Sequence, residues 1–164
     1  MRRGCITRRG LLAAAAAWPL LPARAAELPA AHHLKDELAA ALARRQPLVI
    51  MVSLEGCPFC KVARDHYLVP LHQQEGVPIA QVDMRSRTRV YDFQGRLVTH
   101  DDLARQWKIR IAPTVLFFGP GGVEVAERLV GGSIPDFYGA YLEQRIAAAR
   151  AALRCDLAPT KWSA

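Results

Sequence analysis

The chain has 164 residues, carries 22 Lys+Arg against 15 Asp+Glu, and is 51% hydrophobic with four cysteines. That length supplies one ordinary domain with its own core. The formal charge of +7 is no signature of nucleic-acid binding, because five arginines (2, 3, 8, 9 and 24) fall in an amino-terminal leader. Without them 17 bases face 15 acids, a balance of +2.

Arg2, Arg3, Arg8 and Arg9 precede an apolar run from Leu11 to Leu21, and Ala23-Arg24-Ala25 has the small-x-small form of a cleavage site. Residues 1–25 therefore read as a signal peptide cut near Ala25, too short for a transmembrane helix. Thr7-Arg8-Arg9-Gly10-Leu11-Leu12 is similar to the twin-arginine export motif, although an ordinary charged n-region explains the same arginines. An alanine-rich helix of the mature protein and a retained membrane anchor are the competing readings. The charge order, Trp18-Pro19, Pro22 and the cleavage triplet favour export, with the periplasm as destination. About 139 residues then remain. Cys5 leaves with the leader. Cys57, Cys60 and Cys155 reach an oxidising compartment where a disulfide persists. Cys155 has no evident partner and reads as an unpaired thiol, ahead of an intermolecular bridge or a third redox cysteine.

In the mature chain, Leu34, Leu38, Ala41 and Leu42 give an amphipathic helix between His33 and Arg45, ended ahead of Pro47. It makes residues 26–46 a helical extension. His32 and His33 are read as exposed helix-entry residues. An apolar, β-branched run from Leu48 to Leu54 predicts a buried strand. The chain breaks at Glu55-Gly56 and presents Cys57-Pro58-Phe59-Cys60 at the start of a helix, where proline costs nothing.

Residues three apart on a helix are neighbours, so the two sulfurs can close a short disulfide. The helix N-terminus favours an anion, which marks Cys57 as the attacking thiolate and Cys60 as the resolving thiol. A purely structural disulfide and half of a zinc site are the plain alternatives. Zinc needs a second ligand pair, and no second Cys-x-x-Cys or His-x₃-His is present, so no metal ligand is assigned.

The active-site helix is predicted over Pro58 to about Gln74, with Val62, His66 and Val69 as its stripe and Pro70 kinking or interrupting it. His66 and His72 are packing or surface residues on this reading. Val77 to Met84 is strand two. Residues 91–98 alternate around Gly95 and predict a small hairpin or ordered loop. Thr99 is the N-cap of a short helix with Leu103 and Trp107 on its apolar face. Ile109 to Pro113 connects it to strand three, Thr114 to Phe118. Gly119-Pro120-Gly121-Gly122 turns the chain into strand four, Val123 to Val130, as an antiparallel hairpin. Ser133 is the expected cap of the last helix, with Pro135 and Asp136 in its first turn. Phe137, Tyr141, Leu142, Ile146, Ala149 and Leu153 are its expected core stripe. The order helix, β, α, β, α, β, β, α predicts an α/β domain with a mixed sheet of four or five strands flanked by helices.

Two stretches carry a resemblance to the thioredoxin fold. One is the strand leading into Cys57-Pro58-Phe59-Cys60-Lys61. The other runs from Trp107 through Ile111-Ala112-Pro113-Thr114 to Phe118, continued by Gly121-Gly122 and Gly131-Gly132. The resemblance makes residues 47–154 a thioredoxin-like domain and 155–164 a tail. It implies a cis Ala112–Pro113 bond beside the cysteines, with Ala112 and Pro113 aligning a substrate chain. The export signal, the segment from Asp83 to Leu103 and the Cys-Pro-aromatic-Cys centre resemble periplasmic thioredoxin-related proteins of the SoxW type. That family implies thiol:disulfide exchange without an organic cofactor and disulfide-bearing exported proteins as partners. It also implies a membrane thiol-transfer protein as electron donor, and a monomer.

Neither the helical insertion of the disulfide-forming DsbA type nor the dimerisation domain of the isomerising DsbC type is evident. Reduction is therefore the preferred direction. A dithiol oxidase is the alternative within the same class, and a copper or zinc chaperone the alternative outside it. Two positions depart from the classical pattern. Met51 stands where thioredoxins carry a buried aspartate, and Gly56 where they carry a tryptophan. Met51 accepts no proton, which leaves Glu55 or a water as the candidate for proton transfer at the resolving thiol, with an exposed loop acid as the plain reading of Glu55.

Overall fold

In a computed structural model of the chain, residues 27–132 and 135–156 are described. The predicted leader with its cleavage site, Cys5, the Ser133 cap and the last eight residues lie outside the described residues. The elements in order are α1 (Leu34–Ala43), β1 (Leu48–Ser53), α2 (Pro58–Val62), a π-helical segment (Ala63–Leu68), α3 (Val69–Gln74), β2 (Ile79–Asp83), β3 (Arg89–Tyr91), β4 (Leu97–Thr99), α4 (His100–Gln106), β5 (Thr114–Gly119), β6 (Val123–Glu124), β7 (Leu129–Val130) and α5 (Pro135–Asp156).

The central sheet runs β2-β1-β5-β6, with β7 also paired to β5. β1 is parallel to β2, with Met51 opposite Gln81 and Ser53 opposite Asp83. It is antiparallel to β5, with Met51 opposite Val115. Both central strands are buried along their whole length. This is why they read as continuous apolar runs rather than alternating ones. Their side chains feed two cores. One face packs Val49, Met51, Val115 and Phe117 against Cys60, Ala63, Leu68 and α5. The other packs Ile50, Val52, Leu116 and Phe118 against α1 and α4. This mixed sheet with helices on both faces is the thioredoxin fold.

The edge of β2 is covered. Ala31 N–H donates to the Gln81 carbonyl at 2.9 Å, and Gln81 N–H donates to the Pro29 carbonyl at 2.8 Å. The extended segment ahead of α1 thus pairs with an edge whose backbone groups would otherwise be open to other chains. His100, buried at the start of α4, ties this cover down. Its Nε2 lies 3.0 Å from the Ala31 carbonyl oxygen, and its Nδ1 accepts the Asp83 N–H at 3.2 Å. Those contacts fit the Nε2–H tautomer. Thr99 caps α4 as the sequence predicts, in a reciprocal box with Asp102.

Three local expectations are corrected. The α-helix is interrupted ahead of Pro70, as expected, but the apolar stripe is not the expected one. The chain passes through Pro70 by a π-helical segment, which absorbs the amide that proline cannot donate. The extra residue in that turn moves the apolar stripe. Ala63, Leu68 and Val69 are buried, while Val62 and His66 face solvent. Strand four is two short strands, because residues 126–128 leave the sheet where Arg128 binds Glu124 and donates to the Trp107 carbonyl. On α5 the core stripe is Tyr138, Leu142, Ile146, Ala149 and Leu153, and Phe137 and Tyr141 stay exposed.

The predicted 91–98 turn is present as the antiparallel pair β3-β4. Its hinge is Asp92, buried and accepting the Gln94 and Arg96 N–H groups and the Arg96 Nε–H, all within 2.9 Å. Burial alone would raise the Asp92 pKa, but the bonds from Arg96 and Gln94 outweigh it and hold the carboxyl below its ordinary value. A depressed carboxylate stabilises the folded state above the unfolded pKa, and that contribution is lost as pH falls through the folded value. Asp92→Asn should therefore cost about 1–3 kcal/mol in urea unfolding at pH 7. The gap between variant and wild type should close in acid, below about pH 4.

Candidate active site

β1 delivers the site. Its last residues are buried, the chain turns at Glu55-Gly56, and Gly56 takes a φ of +73° that a side chain would resist. Cys57 is then the N-cap of α2. Its backbone is extended, and its sulfur accepts the Cys60 N–H at 3.1 Å. An oxygen normally holds that position, so the sulfur sits among helix-start donors that favour negative charge. Cys57 and Cys60 are joined by a disulfide, with Cα atoms 5.2 Å apart. The two sulfurs are unequally placed. Cys57 is half-buried, whereas Cys60 is 1% exposed and packs into the core with Met51 and Ala63.

The Ala112–Pro113 bond is cis. It places the Ala112 carbonyl oxygen 3.8 Å from Cys57 Sγ. Thr114 Oγ1 donates to the Ile111 carbonyl at 2.7 Å, and Gly131 N–H donates to the Pro113 carbonyl at 2.7 Å, which fixes this corner against β7. Gly132 lies against it: a Cβ added there would meet Pro113 Cγ at 3.4 Å and Phe59 Cβ at 3.6 Å. Phe59, Ile111, Val130 and Phe137 are all more than half exposed. Phe59 belongs to the cysteine motif itself, and Ile111 directly precedes Ala112, so apolar surface flanks the sulfur.

A second opening lies on the other flank. Cys57, Cys60, Glu55, Lys61, Arg64, Gln81, Asp83 and Arg85 help line an open groove of about 910 Å³. Lys61 and Arg64 both bind Asp65, at 2.5 and 2.9 Å. The Lys61 bond is the leading reason that Asp65 is held below the ordinary carboxylate range. Glu55 is exposed at the groove mouth. Met51 is fully buried in the face behind Cys60. Among the described residues no group of three or more His, Cys, Asp or Glu is arranged to hold a metal ion. Cys155 is a free, exposed thiol near the end of α5.

The sequence reading brings Cys57, Cys60, Ala112 and Pro113 together in the structure. The groove beside the cysteines also takes in Gln81 and Asp83, which the sequence reading does not single out. The signal for them is strand alternation: Ile79, Gln81 and Asp83 share one face, and Ile79 places that face in the core beside Cys60.

A family model described as a thioredoxin-like domain matches residues 34–146. Solved structures similar to this chain include oxidised thioredoxin O2 of Arabidopsis thaliana, 19% identical, covering 70% of this chain and 93% of that one with a TM-score of 0.47. Mitochondrial thioredoxin 3 of Saccharomyces cerevisiae is 19% identical over 71% and 93% of the two chains, with a TM-score of 0.45. The periplasmic thioredoxin SoxS of Paracoccus pantotrophus is 21% identical over 63% and 99%, with a TM-score of 0.44. No curated protein sequence matches the chain. With a family match over more than half its length and a Cys57–Cys60 disulfide at the head of α2, the chain belongs to the thioredoxin-like family and is a thiol–disulfide oxidoreductase.

Proposed function

We propose that the protein reduces disulfides of exported proteins in the cell envelope, using Cys57 as nucleophile and Cys60 as resolving thiol. The observation that carries this reading is the unequal exposure of the two sulfurs, half-buried against 1%. In the reduced protein, the Cys57 thiolate attacks a substrate sulfur and forms a mixed disulfide, and the other substrate sulfur leaves with the electron pair. Cys60 then attacks Cys57. The Cys57–Cys60 bond forms, the Cys57–substrate bond breaks, and the second substrate thiol is released. No other cofactor enters. The enzyme disulfide is then reduced by two electrons from a thiol-transfer partner.

Ala112 and Pro113 supply the docking edge. The Ala112 carbonyl beside Cys57 Sγ suits an extended substrate segment pairing with the backbone, and the apolar residues around it suit that segment's side chains. The preference for reduction has structural support in the connection between β2 and α4. It is the short β3-β4 hairpin rather than a helical domain. Export rests on the leader, with its paired arginines, apolar run and Ala23-Arg24-Ala25 site.

Cys60→Ser in the mature protein should accumulate mixed disulfides with envelope proteins, released by dithiothreitol and absent from Cys57→Ser. Failure to trap any partner would remove the reductase reading. A redox titration against glutathione, together with an insulin-reduction assay, sets the direction. A strongly oxidising potential with no insulin reduction would make the protein a dithiol oxidase, and tight copper or zinc binding without turnover would make it a chaperone.

Ile111→Ser should raise KM for a protein disulfide by about 3–10-fold, as expected for losing part of one apolar contact. Its reaction with a small disulfide should be unchanged. Equal losses on both substrates would mean that Ile111 supports the fold rather than the docking edge.

A further inference from the structure

Resolution of the mixed disulfide needs a thiolate at Cys60, and Cys60 is 1% exposed among apolar neighbours. Burial in such a setting disfavours the charged form, so the proton needs a nearby acceptor. Met51, directly behind it in β1, offers none. On the rim side, Pro113 has no N–H, and the Ala112 carbonyl faces Cys57.

The groove side differs. Gln81 and Asp83 lie on the sheet face that carries Met51, opposite Met51 and Ser53 in register. Both line the groove that reaches Cys60. Gln81 Nε2–H donates to Asp83 Oδ1 at 2.7 Å, and the Asp83 N–H is held by His100 Nδ1 at 3.2 Å. Asp83 is therefore held at its backbone by His100 and at one carboxylate oxygen by Gln81. Gln81 Oε1 is buried with no hydrogen-bond partner among the described residues. A buried acceptor of this kind, bordering a water-accessible groove, is a station for a bridging water.

We propose that Asp83, positioned by Gln81, takes the proton from the Cys60 thiol as the mixed disulfide is resolved. This deepens the reductase reading and rests on it. The proton passes from Cys60 to the Asp83 carboxylate through water in the groove that both residues line. The Cys60 sulfur then attacks Cys57, and the substrate sulfur leaves with the electron pair and is protonated. When the enzyme disulfide is reduced, the same carboxyl returns the proton to Cys60. Other charged groups share this space. Lys61 and Arg64 come from the active-site helix, Arg85 from the loop after β2, Glu55 from the loop before α2, and Glu27 from the edge segment. Lys61 and Arg64 are paired with Asp65. Glu55 is exposed at the mouth rather than fixed on the core face.

The two steps separate in one experiment. The reduced mature protein, carrying Cys155→Ser to remove the exposed third thiol, is mixed with one equivalent of 5,5′-dithiobis(2-nitrobenzoate), and release of nitrothiobenzoate is followed by stopped flow across pH. The first release reports attack by Cys57, the second resolution by Cys60. Asp83→Asn should slow the second phase by about 100-fold or more, the lower end of a lost general base. It should also move that phase's pH dependence upward and leave the first phase at the wild-type rate. Asp83→Glu should restore much of the second phase, and Gln81→Leu should slow it by a smaller factor.

An unchanged second phase in Asp83→Asn overturns the proposal. So does equal slowing of both phases, or slowing by Glu55→Gln in place of Asp83→Asn. Absence of a first phase in the wild type is a different failure: it removes the reductase reading itself.

Discussion

The Cys57 sulfur occupies a place that helices usually give to oxygen. As N-cap it takes the Cys60 N–H, and the disulfide then joins the cap to the first turn of the helix it starts. Much of the architecture serves to hold that one turn still. β1, buried on both faces, fixes where the chain emerges. Gly56 allows the reversal, and the π-helical segment and α3 carry the helix back over the sheet. Because the capping atom is also the proposed nucleophile, stabilising the helix start and stabilising a thiolate are the same interaction. A substitution that loosens the start of α2 would therefore change chemistry as well as stability.

Much of this was legible in the residues. The run from Leu48 to Leu54 and the Cys-Pro-Phe-Cys motif place the cysteines by short-range rules that sequence displays directly, and the Ala112-Pro113-Thr114 corner joins them through the resemblance to the thioredoxin fold. The misses share a cause in geometry that sequence does not carry. Val62 and His66 fit a 3.6-residue stripe, but the π turn ahead of Pro70 inserts a residue and rotates Ala63 and Leu68 inward instead. Phe137 and Tyr141 fit a stripe on α5 as well as Tyr138 does. Packing against Tyr67, with ring centroids 5.1 Å apart, selects Tyr138. Strand four reads as continuous because nothing local marks Arg128 as the residue that reaches the Trp107 carbonyl and draws its neighbours off the sheet.

Tyr138 shows the cost of that selection. Its hydroxyl is buried without a hydrogen-bond partner among the described residues, and burial pushes its pKa well above the ordinary phenol value. At any physiological pH it is a neutral ring, contributing area rather than charge. It shares its core cluster with Cys60, so this side of the site is kept apolar even where the sequence offers a polar atom.

Seen from the sulfurs, the surroundings divide by chemistry. On one flank stand Phe59, Ile111 and the Ala112 carbonyl, all suited to an extended peptide and none able to take a proton from a thiol under ordinary conditions. On the other stand Gln81, Asp83, Lys61 and Arg64, around a groove open to solvent. Cys57 borders both. Such a division solves a problem that a single opening would not. A substrate docked over Cys57 must exclude water to bind, yet resolution by the buried Cys60 needs a proton to leave. With a separate polar groove, the proposed proton transfer does not wait on the docked substrate leaving, and Met51 packs as core while Asp83 stands two strand positions beyond its partner Gln81 on the neighbouring β2.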